Sequence, residues 1–226
     1  GISSDDDLNR ITLKDYISIG KGRKRSSATN KIAVIYAQGE IIYGKGDENN
    51  IGPELIINAL RKATDDKNVK AIVLRVNSPG GSALASELIW RELELASVKL
   101  PIVVSMGNVA ASGGYYIACN ADAIFAEPTT ITGSIGVFGV LPNISELADN
   151  IGVNAEQVST NKGANYSIFE PMTDAFRTVT QEGVEQVYTT FLERVAKGRG
   201  MLVTEVDSVA QGRVWSGVEA IEKGLV

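Results

Sequence analysis

The chain has 226 residues, 44% of them hydrophobic and 22% charged, with a formal net charge of −5, one cysteine and no histidine. The missing histidine excludes a Ser-His-Asp triad, a Cys-His dyad and every histidine-bearing zinc motif from within this chain. Cys119 alone can form neither an internal disulfide nor a four-cysteine metal site, and the acidic balance argues against nucleic acid as the main partner.

Residues 1–30 read as a linker or extension. They carry Asp5-Asp6-Asp7, a short amphipathic stretch from Leu8 to Ile19, and the basic run Lys21–Arg25 before Ser26–Asn30. A charge run in such a setting reads as a solvated linker. No apolar run reaches the roughly 18 residues of a transmembrane helix, and no signal-peptide core is present.

From Lys31 strands and helices alternate. Ile32–Ala37 is a short apolar run with β-branched residues, the pattern of a buried strand. Ile51–Thr64 has helical spacing through Leu55, Ile56, Ala59, Leu60 and Ala63. Ala71–Val76 predicts a second strand and Ala83–Ala96 a second helix. Ile102–Met106 predicts a third strand, followed by a small-residue helix from Ala110 to Cys119. Ala123–Ala126 is a fourth short strand. Thr173–Lys197 predicts a long helix burying Phe176, Val179, Val184, Val187, Phe191 and Val195. Continuous apolar strands separated by helices predict an α/β fold with a mostly parallel sheet covered on both faces.

Three glycine-rich turns follow predicted strands: Asn77–Gly81, Ala111–Gly114 and Thr132–Gly136. Sites in open α/β sheets assemble at the carboxyl ends of strands. Gly80 and Gly81 let backbone N–H groups face a ligand, either a developing oxyanion or a phosphate. Taken alone, such a pair reads first as a structural turn. Ser112 sits among Ala110, Ala111, Gly113 and Gly114, where small neighbours leave its hydroxyl approachable. It reads either as a helix N-cap or as a nucleophile. A serine nucleophile needs a base, and without histidine the natural candidate is a lysine whose charged form burial disfavours. No P-loop or G-x-G-x-x-G signature supports a nucleotide site.

The runs Ala71–Ser82, Val104–Tyr116, Ile131–Val137, Lys197–Gly200, Gly212–Gly217 and Gly224–Val226, in that order, resemble the signal peptide peptidase A family, also called protease IV. The resemblance covers most of Lys31–Val226. It implies a ClpP/crotonase-like fold and a serine peptidase with a Ser-Lys dyad, with no metal and no cofactor. Residues 31–226 would then be the nucleophile-bearing peptidase domain. Ser112 matches the family nucleophile. Gly80 and Gly113 match the positions whose N–H groups form the oxyanion hole, Gly81 supports that turn, and Ser134 matches a serine that orients the lysine. The lysine position of the family segment Lys-(Ser/Asp)-x-x-x-Pro is held here by Tyr166, in Tyr166–Pro171. Lys162, four residues earlier, is the fallback base.

This departure and the linker-like start predict the C-terminal half of a long-form member, with its lysine in the N-terminal half, and the resemblance to a family that usually continues past this point implies further residues after Val226. The resemblance also implies peptide substrates, notably released signal peptides, and a ring-like homo-oligomer such as a tetramer. It implies a bacterial cell-envelope location, with the full-length enzyme anchored in the membrane through parts outside this chain and the catalytic domain on the periplasmic side. The rival reading is a non-catalytic assembly or peptide-binding half. Val137, Phe138 and Leu141 read as core in preference to a substrate subsite.

Overall fold

A computed structural model describes residues 29–156, 158, 160 and 166–226. In chain order the elements are β1 (Lys31–Gln38), β2 (Glu40–Ile41), β3 (Asn50–Ile51), α1 (Pro53–Asp65), β4 (Val69–Ser78), α2 (Ala83–Ser97), β5 (Ile102–Ala111) and α3 (Gly113–Tyr116). They continue with β6 (Ala123–Phe125), β7 (Ile131–Gly133), α4 (Ser145–Asn150), α5 (Asp174–Arg199), α6 (Val203–Val209), β8 (Val214–Ser216) and α7 (Gly217–Glu222). The main sheet runs β1-β4-β5-β7-β8, with β6 also paired to β5 and only β8 antiparallel. β2 and β3 form a separate parallel pair. These elements belong to one unit, Lys31–Val226. The linker reading falls outside the described residues except at Thr29 and Asn30, and Lys162 lies outside them too.

The core explains why these runs fold as they do. Along β4, Ile72, Leu74, Val76 and Ser78 are fully buried on one face. Against that side lie α1, through Ile56, Leu60 and Ala63, and α2, through Ala85, Ile89, Trp90 and Leu93. Ser82 caps α2 by accepting the Ala85 N–H, and Pro53 opens α1 where its missing N–H costs nothing.

Three expectations are corrected. The sheet is not covered on both faces throughout: on β1, Ile32, Val34 and Tyr36 are 64%, 51% and 70% exposed. The helix expected over Ala110–Cys119 is only Gly113–Tyr116, because Ala110 and Ala111 are drawn into β5 by pairing with Thr132 and Gly133 of β7. Of the six residues expected inside α5, only Phe191 and Val195 are buried, while Val179 is 65% exposed. A 26-residue helix is about 39 Å long. Its second half alone meets the core, through the Phe191 ring 4.6 Å from Tyr116 and Arg194 stacked 4.0 Å over Trp90. Ion pairs from Arg194 to Glu87 (2.7 Å) and from Lys197 to Glu94 also tie that half to α2.

The core reading of Phe138 fails as well. It is 86% exposed, because the chain leaves the sheet after Gly133 and residues 134–144 enter no strand or helix.

Candidate active site

β5 is the strand that gathers the site. At its carboxyl end it pairs with β4 through Ala110 and Ser78, and with β7 through Ala111 and Gly133. The three glycine-rich turns after β4, β5 and β7 therefore meet at one edge of the sheet. β5 reaches both neighbours by bulging. Met106 pairs with Val76 and Ala110 with Ser78, so three β5 residues oppose Asn77 alone. Asn77 Oδ1 accepts the N–H groups of Asn108 (3.1 Å) and Val109 (3.2 Å), replacing the ladder bonds that the bulge breaks. Sequence reasoning missed this role, for which an asparagine before Ser-Pro gives no signal.

Ser112 occupies the turn between β5 and α3 with φ 52° and ψ −122°. Its N–H donates to the Gly133 carbonyl (2.9 Å), and its carbonyl accepts the Tyr116 N–H (2.8 Å). Its hydroxyl makes no capping bond, although the backbone sits at the N-cap position. A non-glycine residue held in such a conformation stores about 1–3 kcal/mol, and strain of this kind clusters at functional sites. Ser134 follows Gly133, the β7 residue that pairs with Ala111 and whose carbonyl takes the Ser112 N–H. It too has positive φ, 49°, and its N–H donates to the Arg213 carbonyl (2.7 Å).

Gly80 packs directly against this turn. A Cβ there would lie 2.6 Å from the Gly113 nitrogen and 2.9 Å from Ser112 Cβ, and φ is +101°. Only glycine fits, and it brings the Ser-Pro-Gly-Gly turn onto the head of α3. The Gly80 N–H donates to Ser78 Oγ at 3.1 Å, and its carbonyl accepts the Ile41 N–H at 2.8 Å. Gly81 bridges to Ile41, whose carbonyl also takes the Ser82 N–H (2.7 Å), so β2 clamps the turn from outside. Gly113 is buried against Ser86 and Ile41, and its N–H is among those at a helix start with no intrahelical acceptor.

Other polar groups near α3 have structural partners. Tyr115 is buried and its hydroxyl donates to the Leu225 carbonyl (2.8 Å). Tyr116 donates to Glu87, and burial together with that carboxylate raises its phenol above the ordinary range. Burial pushes the Cys119 thiol up to about 12, and it donates to the Tyr116 carbonyl (3.2 Å), so it is not a nucleophile at neutral pH. Tyr166, at the expected lysine position, donates to the Pro142 carbonyl and stacks 5.5 Å from the Phe176 ring. Among the described residues no ionisable side chain hydrogen-bonds to Ser112 or Ser134, and no group of His, Cys, Asp and Glu is arranged to hold a metal.

The fold and site together define a mostly parallel α/β domain with a strained serine turn at the carboxyl edge of its sheet, flanked by glycine N–H groups. The chain belongs to peptidase family S49, which matches residues 94–226. That family lies in the ClpP/crotonase-like clan.

The chain is 47% identical over 228 residues to Protease 4 of Haemophilus influenzae, covering 100% of this chain and 37% of that protein. It is 44% identical over 196 residues to Protease 4 of Salmonella typhi, covering 86% of this chain and 32% of that protein. It is 36% identical over 208 residues to a putative signal peptide peptidase SppA of Enterococcus faecium, covering 88% of this chain and 60% of that one. The chain thus spans about a third of the length of the two Protease 4 relatives.

Proposed function

We propose that this chain is the nucleophile-bearing part of a serine peptidase of the signal peptide peptidase kind. The observation that carries the reading is Ser112, in a strained turn with Gly80 packed 2.6 Å (measured from an added Cβ) from the Gly113 nitrogen. Ser112 Oγ attacks the scissile carbonyl and a neutral lysine takes its proton. The Gly113 and Gly80 N–H groups hold the oxyanion, with Gly80 exchanging its 3.1 Å bond to Ser78 for one to the developing charge. Gly81 supports the turn. The lysine ammonium then gives its proton to the leaving amine as the C–N bond breaks. Water, deprotonated by the same lysine, releases the acyl group. Ser134, next to the Gly133 that holds the Ser112 N–H, orients the amine.

The lysine comes from a part of the polypeptide outside this chain, the N-terminal half of the same enzyme. Tyr166 is committed to Pro142 and Phe176, which supports this reading. Substrates are extended apolar peptides, including released signal peptides, and the whole enzyme is a ring-like homo-oligomer in the bacterial cell envelope. Membrane attachment is assigned to parts outside this chain, with the catalytic domain on the periplasmic side; no helix among the described residues is long and apolar enough to cross a membrane.

The test uses the full-length protein with a fluorogenic apolar peptide and a fluorophosphonate probe. Ser112→Ala abolishes turnover and labelling without lowering the melting temperature. Retained turnover overturns the nucleophile assignment, and absent turnover in the unaltered enzyme favours the assembly or peptide-binding reading. If this chain alone cleaves as fast as the full-length enzyme and Lys162→Ala stops it, the base is Lys162.

A further inference from the structure

Among the described residues three that are not glycine have positive φ: Ser112 (52°), Ser134 (49°) and Gln211 (59°). They are joined in series. The Ser112 N–H donates to Gly133, the residue before Ser134, at 2.9 Å. The Ser134 N–H donates to Arg213, two residues after Gln211, at 2.7 Å. The Gln211 N–H donates to the phenolic oxygen of Tyr188 at 3.1 Å, and the Tyr188 hydroxyl donates to Asp207 Oδ1 at 2.6 Å. A path of hydrogen bonds and short backbone steps therefore runs from the candidate nucleophile to a side-chain pair on α5 and α6.

The turn in the middle has little slack. The Gly212 N–H donates to the Ile135 carbonyl (2.9 Å), and a Cβ on Gly136 would lie 2.8 Å from Gly212 Cα. Moving residues 211–213 moves the Arg213 carbonyl and with it Ser134. Gln211 is exposed and adopts a conformation that glycine would take at no steric cost. The Arg213 N–H closes the turn on the Ala210 carbonyl (3.2 Å), and the phenolic oxygen of Tyr188 takes the Gln211 N–H and ties the turn to α5. The C-terminal half of α5, which packs on the core, carries Tyr188 at the start of its well-packed stretch.

We propose that Tyr188, steadied by Asp207, is a positioning residue that holds the strained Gln211 turn and thereby sets the orientation of Ser134 and Ser112. The inference rests on the reading of Ser112 as the nucleophile.

The test again uses the full-length protein. Tyr188→Phe keeps the ring and removes the oxygen. One lost hydrogen bond corresponds to about a five- to tenfold effect, so kcat falls about that much, KM stays within about twofold, and the rate of fluorophosphonate labelling falls in parallel. Adding Gln211→Gly to Tyr188→Phe restores most of kcat and labelling, because glycine takes this φ without the strain that the anchor offsets. A merely structural tyrosine would lower the melting temperature alone and leave kcat, labelling and the double variant without this pattern.

Unchanged kcat and labelling in Tyr188→Phe overturn the inference, as does a loss that Gln211→Gly fails to recover. If Tyr188→Phe does not fold, Asp207→Ala replaces it: a smaller loss, about threefold on the same scale, is expected and is again recovered by Gln211→Gly, and no loss overturns the inference. Labelling that persists in Ser112→Ala overturns the nucleophile reading and this inference with it. Labelling lost in Ser112→Ala but unaltered in Tyr188→Phe overturns only the inference.

Discussion

Replacing Ser112 with glycine should inactivate the enzyme and stabilise it. At φ 52° and ψ −122°, Ser112 has the geometry of the first central position of a type II′ turn, where glycine dominates. A side chain there costs about 1–3 kcal/mol. Glycine gives back about 0.5–1 kcal/mol through the greater freedom of its unfolded chain. The hydroxyl makes no capping bond, so its removal sacrifices none. The net expectation is a gain of about 1 kcal/mol, which in a domain of this size raises Tm by about 2–4 °C. Ser112→Ala keeps Cβ, and therefore the strain, and serves as the reference. Thermal melts of the three proteins, with peptide turnover measured beside them, make the comparison. Both variants should be inactive and only the glycine variant should melt higher. A glycine variant that melts at or below the alanine variant would refute the claim that this turn is strained.

Two further outcomes follow from the packing around the site. Gly113→Ala places a Cβ 2.6 Å from Ser86 Oγ, an overpacking worth about 1–3 kcal/mol. It should lower both Tm and kcat, and adding Ser86→Ala should recover part of each, whereas no recovery would mean that the clash is not the cause. Burial holds the Cys119 thiol protonated up to about 12. Iodoacetamide between pH 7 and about pH 9, where a free thiol of pKa near 8.5 ionises, should therefore leave it unmodified in the native protein and modify it fully in urea. Mass spectrometry reads the difference, and native-state modification at the rate of a free thiol would show that the site is open.

Much of the scaffold was legible in the residue order. The β-branched runs at Ile32–Ala37 and Ala71–Val76 mark the strands found at Lys31–Gln38 and Val69–Ser78. Ile56, Leu60 and Ala63 mark the buried face of the first helix through their 3.6-residue spacing. The turn at Ser112 was harder. Its small residues suggest a helix from Ala110, but pairing with β7 keeps Ala110 and Ala111 extended, and such pairing depends on residues more than twenty positions away. Phe138 and the first half of α5 were read as buried because apolar spacing reports which side of an element is apolar. It does not report whether anything covers that side. Gln211 gave little warning: its turn with Gly212 is closed by the Arg213 N–H on the Ala210 carbonyl (3.2 Å), and its own N–H is taken by Tyr188, 23 residues earlier in the chain.

The sequence by itself determined the chemistry that these 226 residues cannot supply from within. Without histidine, a serine here has to find another base. It also marked the three glycine-rich turns and put a tyrosine, Tyr166, where the family resemblance leads one to expect a lysine. Only the tertiary structure decided that the three turns share one edge of the sheet, because β5 pairs with β4 on one side and β7 on the other. Tertiary packing also decided which residues carry strain. Local preferences act within a turn or two, whereas backbone strain of this kind persists only where long-range hydrogen bonds and close packing over-determine the conformation.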